Sequence, residues 1–493
     1  MPRRPGRAAL ACGLLPLVAS NIYLYNQQTL EPDVIQYRRV GMYAPDDSPT
    51  IGPPGNGNSE IKIDVSISRV STLSAGLIQV LVFHSEHLDN VGYLEPGAQQ
   101  KTYCCTSTLR KLGVPGCESA GHAIISPGKA SEEVWQQDVT FGVNESRSQL
   151  LADYRVGKSG VHYLFFSSCD PGTGPVLIDG STVWMNPYGF LPGELFHLLP
   201  FFGVMSLVYL GLGVLWSVLC ARYWRELLRL QNCISGVIAL GMVETATWYF
   251  DYVSFNSTGT RGVGPIVVGV FASTVKKTVS RLLVLVVSLG YGVVRPTLGA
   301  DGARVVALGV VYFTFSMVLD TVSNISPITD ISVPLRLLFI LPVALLDAAF
   351  YWWIFSGLSR TLSQLLSRKQ SAKLTLYRRF SHVLIASIVL SAAWVTWQMV
   401  VIISDSLDDR WDTLWIFDAF WHVLYAAILM AIACMWSPSQ NNLQYAYSDE
   451  LLQDDDAEHD DEGDEDGAAA KEAPSEAFSI GGEDADGGTG KCD

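Results

Sequence analysis

Seven long apolar stretches occupy the second half of this 493-residue chain, and few charged residues interrupt them. A helix needs about 20 apolar residues to cross a hydrocarbon core of about 30 Å. Because lipid offers the backbone no hydrogen-bonding partner, such stretches cross a membrane as helices packed on one another. The pattern predicts a polytopic membrane protein. The predicted spans are residues 195–220, 231–249, 264–294, 305–322, 335–357, 382–404 and 413–436.

The first 20 residues are typical of a secretory signal peptide. Arg3, Arg4 and Arg7 precede an apolar run at residues 8–19, and small residues stand before a cleavage point at Asn21. We therefore expect residues 1–20 to be removed. The alternative is an uncleaved segment that lies at the membrane interface.

The formal net charge of −15 is concentrated at the other end of the chain. Residues 449–493 contain 18 Asp and Glu against Lys471 and Lys491, which leaves the first 448 residues with a net charge near +1. A segment rich in Asp, Glu, Gly and Ala cannot bury enough apolar surface to fold. We expect residues 438–493 to form a disordered acidic tail, which a trafficking or coat protein could bind.

Residues 21–185 carry the pattern of an all-β sandwich. From Ser59 onward, Ile61, Ile63, Val65 and Ile67 alternate with polar residues, which is the period of a half-buried strand. Further short apolar runs at 77–83, 134–141, 160–167 and 175–184 are separated by Gly, Pro, Asn and Asp. The Pro-rich residues before about 59 are expected to be loop-like, with a first strand at 34–43 as the alternative. Residues 186–194 then form a junction to the helical region at 195–437.

Four cysteines lie in the segment that the signal would deliver to an oxidising lumen: Cys104, Cys105, Cys117 and Cys169. This number suits two disulfides. A bridge between the adjacent Cys104 and Cys105 would be strained, so two pairings remain open. Zinc binding is less favoured because no Cys-x-x-Cys pair is present.

Charge asymmetry predicts the orientation of the helices. With the N-terminal domain on the luminal side, the basic residues collect in the cytoplasmic connections after the first, third and fifth spans. These residues are Arg222, Arg225, Arg229, Arg295, Arg304, Arg360, Arg368, Lys369, Lys373, Arg378 and Arg379. The last of these connections either lies against anionic lipid at the interface or extends the flanking helices.

Two further kinds of luminal site were considered. Asn144, Asn256 and Asn324 each begin an Asn-X-Ser/Thr sequence on the predicted luminal side and are expected to be glycosylated. His84 and His87 could hold a metal ion, but a solvent-facing strand end explains them better, and no metal site is expected.

Ionisable residues within the spans are functional candidates because an isolated charge in lipid is costly. At 1.5 Å per residue, Lys276 lies about 17 Å and Asp347 about 18 Å below the luminal ends of their spans, so the two could pair. Glu244, at a depth of about 12 Å, is a second candidate partner. Lys277 and Arg281 share one helix face. The residues form either a buried ion-pair network or the lining of a water-filled cavity, where an excess of positive charge would favour an anionic guest.

Several sequence motifs occur in an order that resembles one known family. They are NPYGFLPGE at 186–194, LGMVE at 240–244, the Lys276-Lys277 pair, VSLGYGVVRP at 287–296 and WSPSQNN at 436–442. Together they resemble the Golgi-dynamics-domain seven-transmembrane family, also called the lung seven-transmembrane receptor family, and most closely its transmembrane protein 87-like branch. The resemblance covers about residues 160–447.

The resemblance implies a multi-domain membrane protein, in which a luminal Golgi-dynamics-like β-sandwich precedes a seven-helix bundle. It implies a large cavity within the bundle, where a phospholipid binds and no other cofactor is needed. Carried over by motif, Glu244, Lys276, Lys277 and Arg281 are the cavity residues. Asp320 and Asp347 join them through the depth argument alone.

The expected function is that of a trafficking factor of Golgi or post-Golgi membranes. Its luminal domain would recognise a cargo protein, and its cavity would hold a phospholipid or a lipidated segment. The alternative is a cation channel, or a channel regulator, of Golgi membranes. A G-protein receptor is less favoured, because Arg295-Pro296 stands where an acidic-Arg-Tyr triplet would be needed. Neither His-Glu-x-x-His nor Gly-x-Ser-x-Gly occurs, so no enzyme is expected, and nothing indicates nucleic-acid binding.

Overall fold

The structure is a computed structural model that describes residues 21–70, 75–95, 101–128, 133–291, 299–325, 333–368, 370–404 and 408–438. The predicted signal peptide and the acidic tail from residue 439 lie outside the described residues. Within the described part, eight strands come first and the long helices follow. This order confirms the predicted fold class of a β domain followed by a helical membrane region.

The β domain consists of two four-stranded antiparallel sheets. The first has the strand order β1-β8-β3-β6 and the second has the order β2-β7-β4-β5. The strands are β1 Ile22–Leu30, β2 Ile35–Met42, β3 Glu60–Arg69, β4 Gly76–His84, β5 Trp135–Phe141, β6 Arg147–Arg155, β7 Gly160–Ser167 and β8 Val176–Met185.

The alternation of apolar residues in β3 explains the sandwich interior. Ile61, Ile63, Val65 and Ile67 are at most 1% exposed and pack in the core between the sheets. Successive side chains of a strand point to opposite faces, so these four side chains fill the core while the side chains between them are polar. By contrast, all eight residues of β7 are buried. The second sheet is therefore covered on its outer face as well.

Two strands of the domain were missed by the sequence prediction. The segment before residue 59 is not loop-like, since it contains β1 as well as the alternative strand β2. β1 has an irregular register between Tyr25 and Gln28, with Gln27 at φ 48°, and this bulge breaks the alternation that would reveal the strand. β6 was also missed, because as the edge of its sheet it buries Leu150 alone.

The two predicted disulfides are present and their pairing is resolved. Cys104 bonds to Cys169 and Cys105 bonds to Cys117. Both belong to the excursion between β4 and β5, which contains the short helix α1, Ser107–Lys111. The first disulfide ties this excursion to the end of β7, and the second closes a loop within it.

Seven long helices follow a short one, α2, at Gly193–Phe196. They are α3 Leu198–Arg222, α4 Arg229–Thr258, α5 Val263–Ser288, α6 Ala300–Ile325, α7 Val333–Ser367, α8 Ser371–Ser404 and α9 Trp415–Met435. Among the described residues, six helices are long and apolar enough to cross a membrane. The long helix that is not among them is α5, which contains Lys276, Lys277 and Arg281. The helix that composition alone would not assign to the membrane is therefore the one that carries three cations close together near its middle.

Four of the predicted span boundaries differ clearly from the helices, and the first is the end of α4, at Thr258 rather than at residue 249. α5 ends at Ser288 rather than at residue 294, since Gly290 adopts φ 85° and its amide donates to the carbonyl of Val287. α7 and α8 instead extend past the predicted boundaries and are separated by residues 368–370. The third basic connection is thus mainly an extension of the flanking helices.

The junction joins the β domain to the bundle through two asparagine side chains. The Asn186 carboxamide oxygen accepts from the Tyr43 amide at 2.8 Å, and its nitrogen donates to the Leu191 carbonyl at 3.0 Å. Asn256, near the end of α4, accepts from the Leu191 amide at 3.1 Å and donates to the Tyr188 carbonyl at 3.0 Å. The two amides fix the junction to β2 on one side and to α4 on the other.

The connection between α8 and α9 makes a second contact with the β domain. The Trp411 ring fills a slot beside Gly41, where an added Cβ would come within 2.8 Å of it, and lies 4.7 Å from the Tyr43 ring. Asp408 accepts from Arg39 at 2.8 Å and from the Tyr163 hydroxyl at 2.5 Å. α9 therefore begins from a connection that is attached to the sandwich.

Candidate functional site

The central feature of the bundle is that side chains of α5 form ion pairs with three neighbouring helices. Lys276 pairs with Glu244 of α4. The Lys277 ammonium lies 3.0 Å from a carboxylate oxygen of Asp320 on α6, and the Arg281 Nε lies 2.7 Å from one of Asp347 on α7. Lys276 lies about 100° around the helix axis from Lys277 and faces α4. Lys277 and Arg281 share one face of α5 but lie about one turn apart along it, and they reach α6 and α7.

The three ion pairs differ in the exposed fraction of their side chains. The Lys276 and Glu244 side chains are 4% and 1% exposed, so that pair is sealed. The Lys277 and Asp320 side chains are 30% and 19% exposed. Those of Arg281 and Asp347 are 17% and 28% exposed. Only the second and third pairs can therefore offer polar atoms to a guest without first being broken.

Further contacts hold the sealed pair in place. The Ser273 hydroxyl donates to Glu244 at 2.6 Å, and the Trp248 indole nitrogen donates to Ser273 at 3.2 Å. The Lys276 ammonium also lies 5.7 Å from the centre of the Tyr209 ring, which is a cation–π distance. A buried ion pair is tolerated when additional polar contacts support it. Here Ser273 donates to one Glu244 carboxylate oxygen while Lys276 pairs with the other.

The predicted pairing of Lys276 with Asp347 is wrong. Each has a different partner, because depth along the helix does not specify direction around it. Lys276 faces α4, whereas the side chain that reaches Asp347 is Arg281, more than one turn further along α5. Glu244, the second candidate, is the actual partner of Lys276.

A cavity of about 520 Å³ lies beside these pairs. It falls in the range of about 300–1,000 Å³ that is usual for ligand pockets. All six residues predicted as cavity residues line it, together with side chains from α3, α4, α6 and α9. Those six are Glu244, Lys276, Lys277, Arg281, Asp320 and Asp347.

α9 adds a fourth carboxylate to the cavity, from Asp418. In the described part of the chain, Asp418 makes no hydrogen bond or ion pair, and its side chain is exposed to the cavity. Four carboxylates therefore stand against three cations, with His422 beside them. The predicted excess of positive charge is not found, since each cation has a carboxylate partner and Asp418 is additional.

A smaller and mostly apolar pocket of about 100 Å³ adjoins the polar cavity. The two share Lys276, Arg281, Asp347 and Tyr425 in their linings. The apolar pocket continues between α5, α7, α8 and α9. Its apolar lining includes Phe350, Ile354, Leu384, Ile428 and Leu429. The combined space is polar at one end and apolar at the other.

The α9 residues were not predicted as cavity residues, although the sequence contained a usable signal. Asp418, His422 and Tyr425 are spaced four and three residues apart, so they share one face of a helix that is otherwise apolar. Such a polar stripe on a spanning helix indicates an interior-facing side. Because Asp418 lies near the predicted end of its span, its position did not predict that it faces the cavity.

The three predicted glycosylation sites differ in their structural surroundings. Asn144 is exposed in the turn between β5 and β6, where a glycan would fit. The structure argues against Asn256, because its amide nitrogen donates to Tyr188 within the junction. Asn324 lies at the end of α6, its side chain is not among the described ones, and Ser326 of its acceptor sequence lies outside the described residues.

The two histidines that could have bound a metal ion have other partners. His87 Nε2 lies 2.7 Å from a carboxylate oxygen of Glu133. His84 Nδ1 accepts from the Glu86 backbone amide at 3.2 Å, and its Nε2 lies 3.2 Å from the Ser159 carbonyl oxygen. No group of three or more His, Cys, Asp or Glu side chains that could hold a metal ion occurs in the described residues.

Together, the fold and the cavity define a class: a polytopic membrane protein with an N-terminal β-sandwich and a helix bundle that encloses a charged cavity. The chain belongs to the GOST seven-transmembrane family, since the family description "GOST, seven transmembrane domain" matches residues 197–443. The match begins just before α3 and ends after α9.

Individual relatives agree with this assignment. The chain is 39% identical to Transmembrane protein 87A of Xenopus tropicalis over 273 residues, which is 55% of this chain and 50% of that protein. It is 36% identical to Transmembrane protein 87B of Mus musculus over 305 residues, 62% of this chain and 54% of that protein. The chain thus spans about half the length of these relatives. It is also 24% identical to Membrane protein PTM1 of Saccharomyces cerevisiae over 451 residues, 84% of this chain and 80% of that protein.

Proposed function

We propose that this protein is a trafficking factor of Golgi or post-Golgi membranes whose bundle cavity holds a phospholipid while its luminal β domain recognises a cargo protein. The observation that carries the lipid part is the composite cavity. A charged space of about 520 Å³ continues into an apolar pocket, and the two share four lining residues. A phospholipid has the same division, with a charged headgroup joined to apolar chains.

The charges of the cavity favour a zwitterionic headgroup over an anionic one. Lys277 and Arg281 are partly open and can donate to a phosphate, while Asp418 can accept from or attract an amine. An additional anion would face four carboxylates. A headgroup that carries both a phosphate and a quaternary or primary amine fits both sides, as in phosphatidylcholine or phosphatidylethanolamine.

The composition of lipid that copurifies with the full chain tests this proposal. Lipid is extracted from protein in mild detergent and quantified by mass spectrometry against an empty-detergent control. We expect about one zwitterionic phospholipid per chain, bound in the composite cavity. Lys277→Gln should reduce it about ten-fold, because a hydrogen bond to a charged group contributes about 1.5–3 kcal/mol and 1.4 kcal/mol is a factor of ten.

Arg304→Gln is the matched control. Its ion pair with Asp301 is exposed and does not line the cavity, so the lipid content should stay unchanged. A wild-type protein with no lipid above the detergent background contradicts the proposal, as does equal retention by Lys277→Gln. Thermal unfolding of each variant checks that the bundle remains intact.

The trafficking part rests on the family resemblance and on the exposed β domain, and it needs its own test. In cells that lack the protein, transport of secretory cargo from the Golgi should slow. The wild-type chain should restore transport, whereas Lys277→Gln should not. Full restoration by a chain whose β domain is deleted would contradict the role assigned to that domain.

A cation conductance is the second candidate, because Asp418 adds a fourth carboxyl group to a cavity lined by three cations. Protein reconstituted in planar bilayers should then pass a cation-selective current, and Asp418→Asn should reduce its selectivity. A carrier of phospholipid passes no such current, so this measurement separates the two candidates.

A further inference from the structure

The end of the bundle farthest from the β domain carries a set of exposed arginines. We call it the basic ring and define it as Arg222, Arg225, Arg229, Arg360, Arg368, Arg378 and Arg379. They come from the end of α3, the start of α4, and the regions where α7 ends and α8 begins. The cavity described above lies elsewhere, and none of these arginines lines it.

Buried contacts bring together the helix ends that carry Arg229, Arg378 and Arg379. Phe380 lies 5.2 Å from the ring of Trp436, whose carbonyl accepts from Gln231 at 3.1 Å. The Tyr377 hydroxyl donates to the Val287 carbonyl at 3.2 Å. These contacts bring the ends of α4, α5, α8 and α9 to the same level.

Three of the inward residues, Gln231, Tyr377 and Phe380, have ring arginines near them in the chain. Arg378 and Arg379 lie between Tyr377 and Phe380, and Arg229 lies two residues before Gln231. The inward side chains are buried, whereas the arginines are exposed. The arginines therefore project outward from a shared level, as a ring around the buried contacts.

The charge of the ring is not neutralised within the described part of the chain. None of its seven arginines forms an ion pair there. The one carboxylate with a described side chain at this end is that of Asp301, and it already pairs with Arg304 at 3.3 Å. The ring thus presents charge of one sign to its surroundings.

The position of the ring matches the headgroup layer of a bilayer. α7 and α8 contain 35 and 34 residues, or about 50 Å each, so they extend beyond a hydrocarbon core of about 30 Å. Arg360 is seven residues before the end of α7, and Arg378 is seven residues after the start of α8. Trp224 is 66% exposed beside Arg225, at a cation–π distance of 5.2 Å. An exposed Trp beside basic residues is typical of a membrane interface.

We propose that the basic ring binds the headgroups of anionic phospholipids in the leaflet that it faces. Clusters of four to eight Lys and Arg directly beside spanning helices attract such lipids. The outward direction of the arginines, the lack of ion pairs to them among the described residues and the interfacial Trp224 all fit a lipid surface. The proposal does not depend on the cavity ligand, which is held inside the bundle by different residues.

Spin-labelled lipids provide the test, with the full chain reconstituted in phosphatidylcholine bilayers. Electron spin resonance gives the association constant of labelled phosphatidylserine at the protein relative to labelled phosphatidylcholine. We expect phosphatidylserine to be preferred and the preference to weaken in high salt, because exposed charges are screened. The triple variant Arg368→Gln, Arg378→Gln and Arg379→Gln should reduce the preference at least about five-fold.

The double variant Asp301→Asn with Arg304→Gln is the matched control, since it removes a neutral ion pair at the same end and should leave the preference unchanged. An equal association of both lipids with the wild-type chain overturns the proposal. So does a triple variant that folds normally and keeps the wild-type preference. The cavity variant Lys277→Gln should leave this preference unchanged, so a failure here is distinguishable from a failure of the proposed function.

Discussion

The interiors of the β domain and of the helix bundle are stabilised in opposite ways. The sandwich core consists mainly of apolar side chains, with polar residues such as His162 and Thr182 as buried exceptions, and all eight residues of β7 are buried. In each of the six apolar helices, only 6–39% of the apolar 18-residue segment is buried within the protein, because most apolar residues face lipid. The interior of the bundle instead contains Glu244, Lys276 and other charged groups. In water, apolar burial defines the inside of a domain, whereas in lipid apolar residues do not favour either side.

This contrast explains why polar contacts specify the bundle. Helices in lipid gain little from burying apolar side chains against one another, so close packing and polar contacts select the neighbours. The three ion pairs of α5 each select a different helix. The β domain needs no such device, because its alternating strands already distinguish inside from outside.

The largest effect that we expect comes from breaking the sealed ion pair. Lys276→Leu leaves Glu244 buried without its partner, which should destabilise the bundle by about 3–5 kcal/mol. The double variant Lys276→Leu with Glu244→Leu should recover most of this loss, since no uncompensated charge remains. Thermal unfolding in detergent measures both. Equal destabilisation by the single and double variants would show that the pair does not act as a unit.

Removing Trp411 tests the contact between the two regions. Trp411→Ala empties the slot beside Gly41, and loss of a buried aromatic side chain costs about 3–5 kcal/mol at a fully packed site. We expect somewhat less, about 2–4 kcal/mol, because the slot lies at the edge of the domain. Hydrogen exchange should rise in β2 and at the junction while α5 stays protected. Trp411→Phe should restore much of the protection, and a uniform rise across the chain would contradict a local role.

The two disulfides should differ in their effect on the β domain. Cys104 and Cys169 are 65 residues apart, whereas Cys105 and Cys117 are 12 apart. In the chain-entropy account, removing the longer bridge costs about 1.5 kcal/mol more. Proteolysis of the full chain with Cys104→Ser and Cys169→Ser, compared with Cys105→Ser and Cys117→Ser, measures the order. Faster cleavage of the second variant would contradict it.

The sandwich should also lose stability in mild acid, and His162 is the cause. Burial lowers the pKa of His162 to about 4, and the neighbouring His84, 5.3 Å away, adds to the effect. The unfolded chain binds the proton below about pH 6.5, so stability is complete above that pH and declines as the pH falls toward 4. We expect a loss of about 2 kcal/mol at pH 5. The unfolding temperature of His162→Gln should depend less on pH, and an equal dependence would exclude His162.

Glycosylation gives the smallest effect and tests the orientation. With the β domain in the lumen, Asn144→Gln should remove one glycan and increase gel mobility. Asn256→Gln should leave mobility unchanged, because that amide is engaged in the junction. An unglycosylated Asn144 in secretory cells would argue against the luminal placement.

The sequence predicted the parts of this protein whose signals are local. The alternation of apolar and polar residues predicted β3, and the length of the apolar stretches predicted the helices. By length and composition alone, α5 would not be assigned as a membrane-spanning helix. The order of the motifs indicated the family. β1 and β6 were missed, because a bulge or an exposed edge removes the period on which such a prediction depends.

The cavity was predictable in its residue types but not in its pairing. Lys276, Lys277 and Arg281 stand out as charges in lipid, yet their partners depend on rotation around the helix axis and on which helices are neighbours. Depth alone therefore suggested Asp347 for Lys276. The contribution of Asp418 depends on the direction that α9 faces, which is set by packing against the rest of the bundle.

The pairing of α5 has a consequence for how the protein is made. On insertion scales, each Lys or Arg at the centre of a spanning helix costs about 3 kcal/mol, so this segment has little tendency to leave the translocon for bare bilayer. Glu244 is synthesised before α5, whereas Asp320 and Asp347 follow it. When α5 is synthesised, one of its three counter-ions is already present and two have still to be made. Stable insertion of α5 therefore depends on later parts of the same polypeptide.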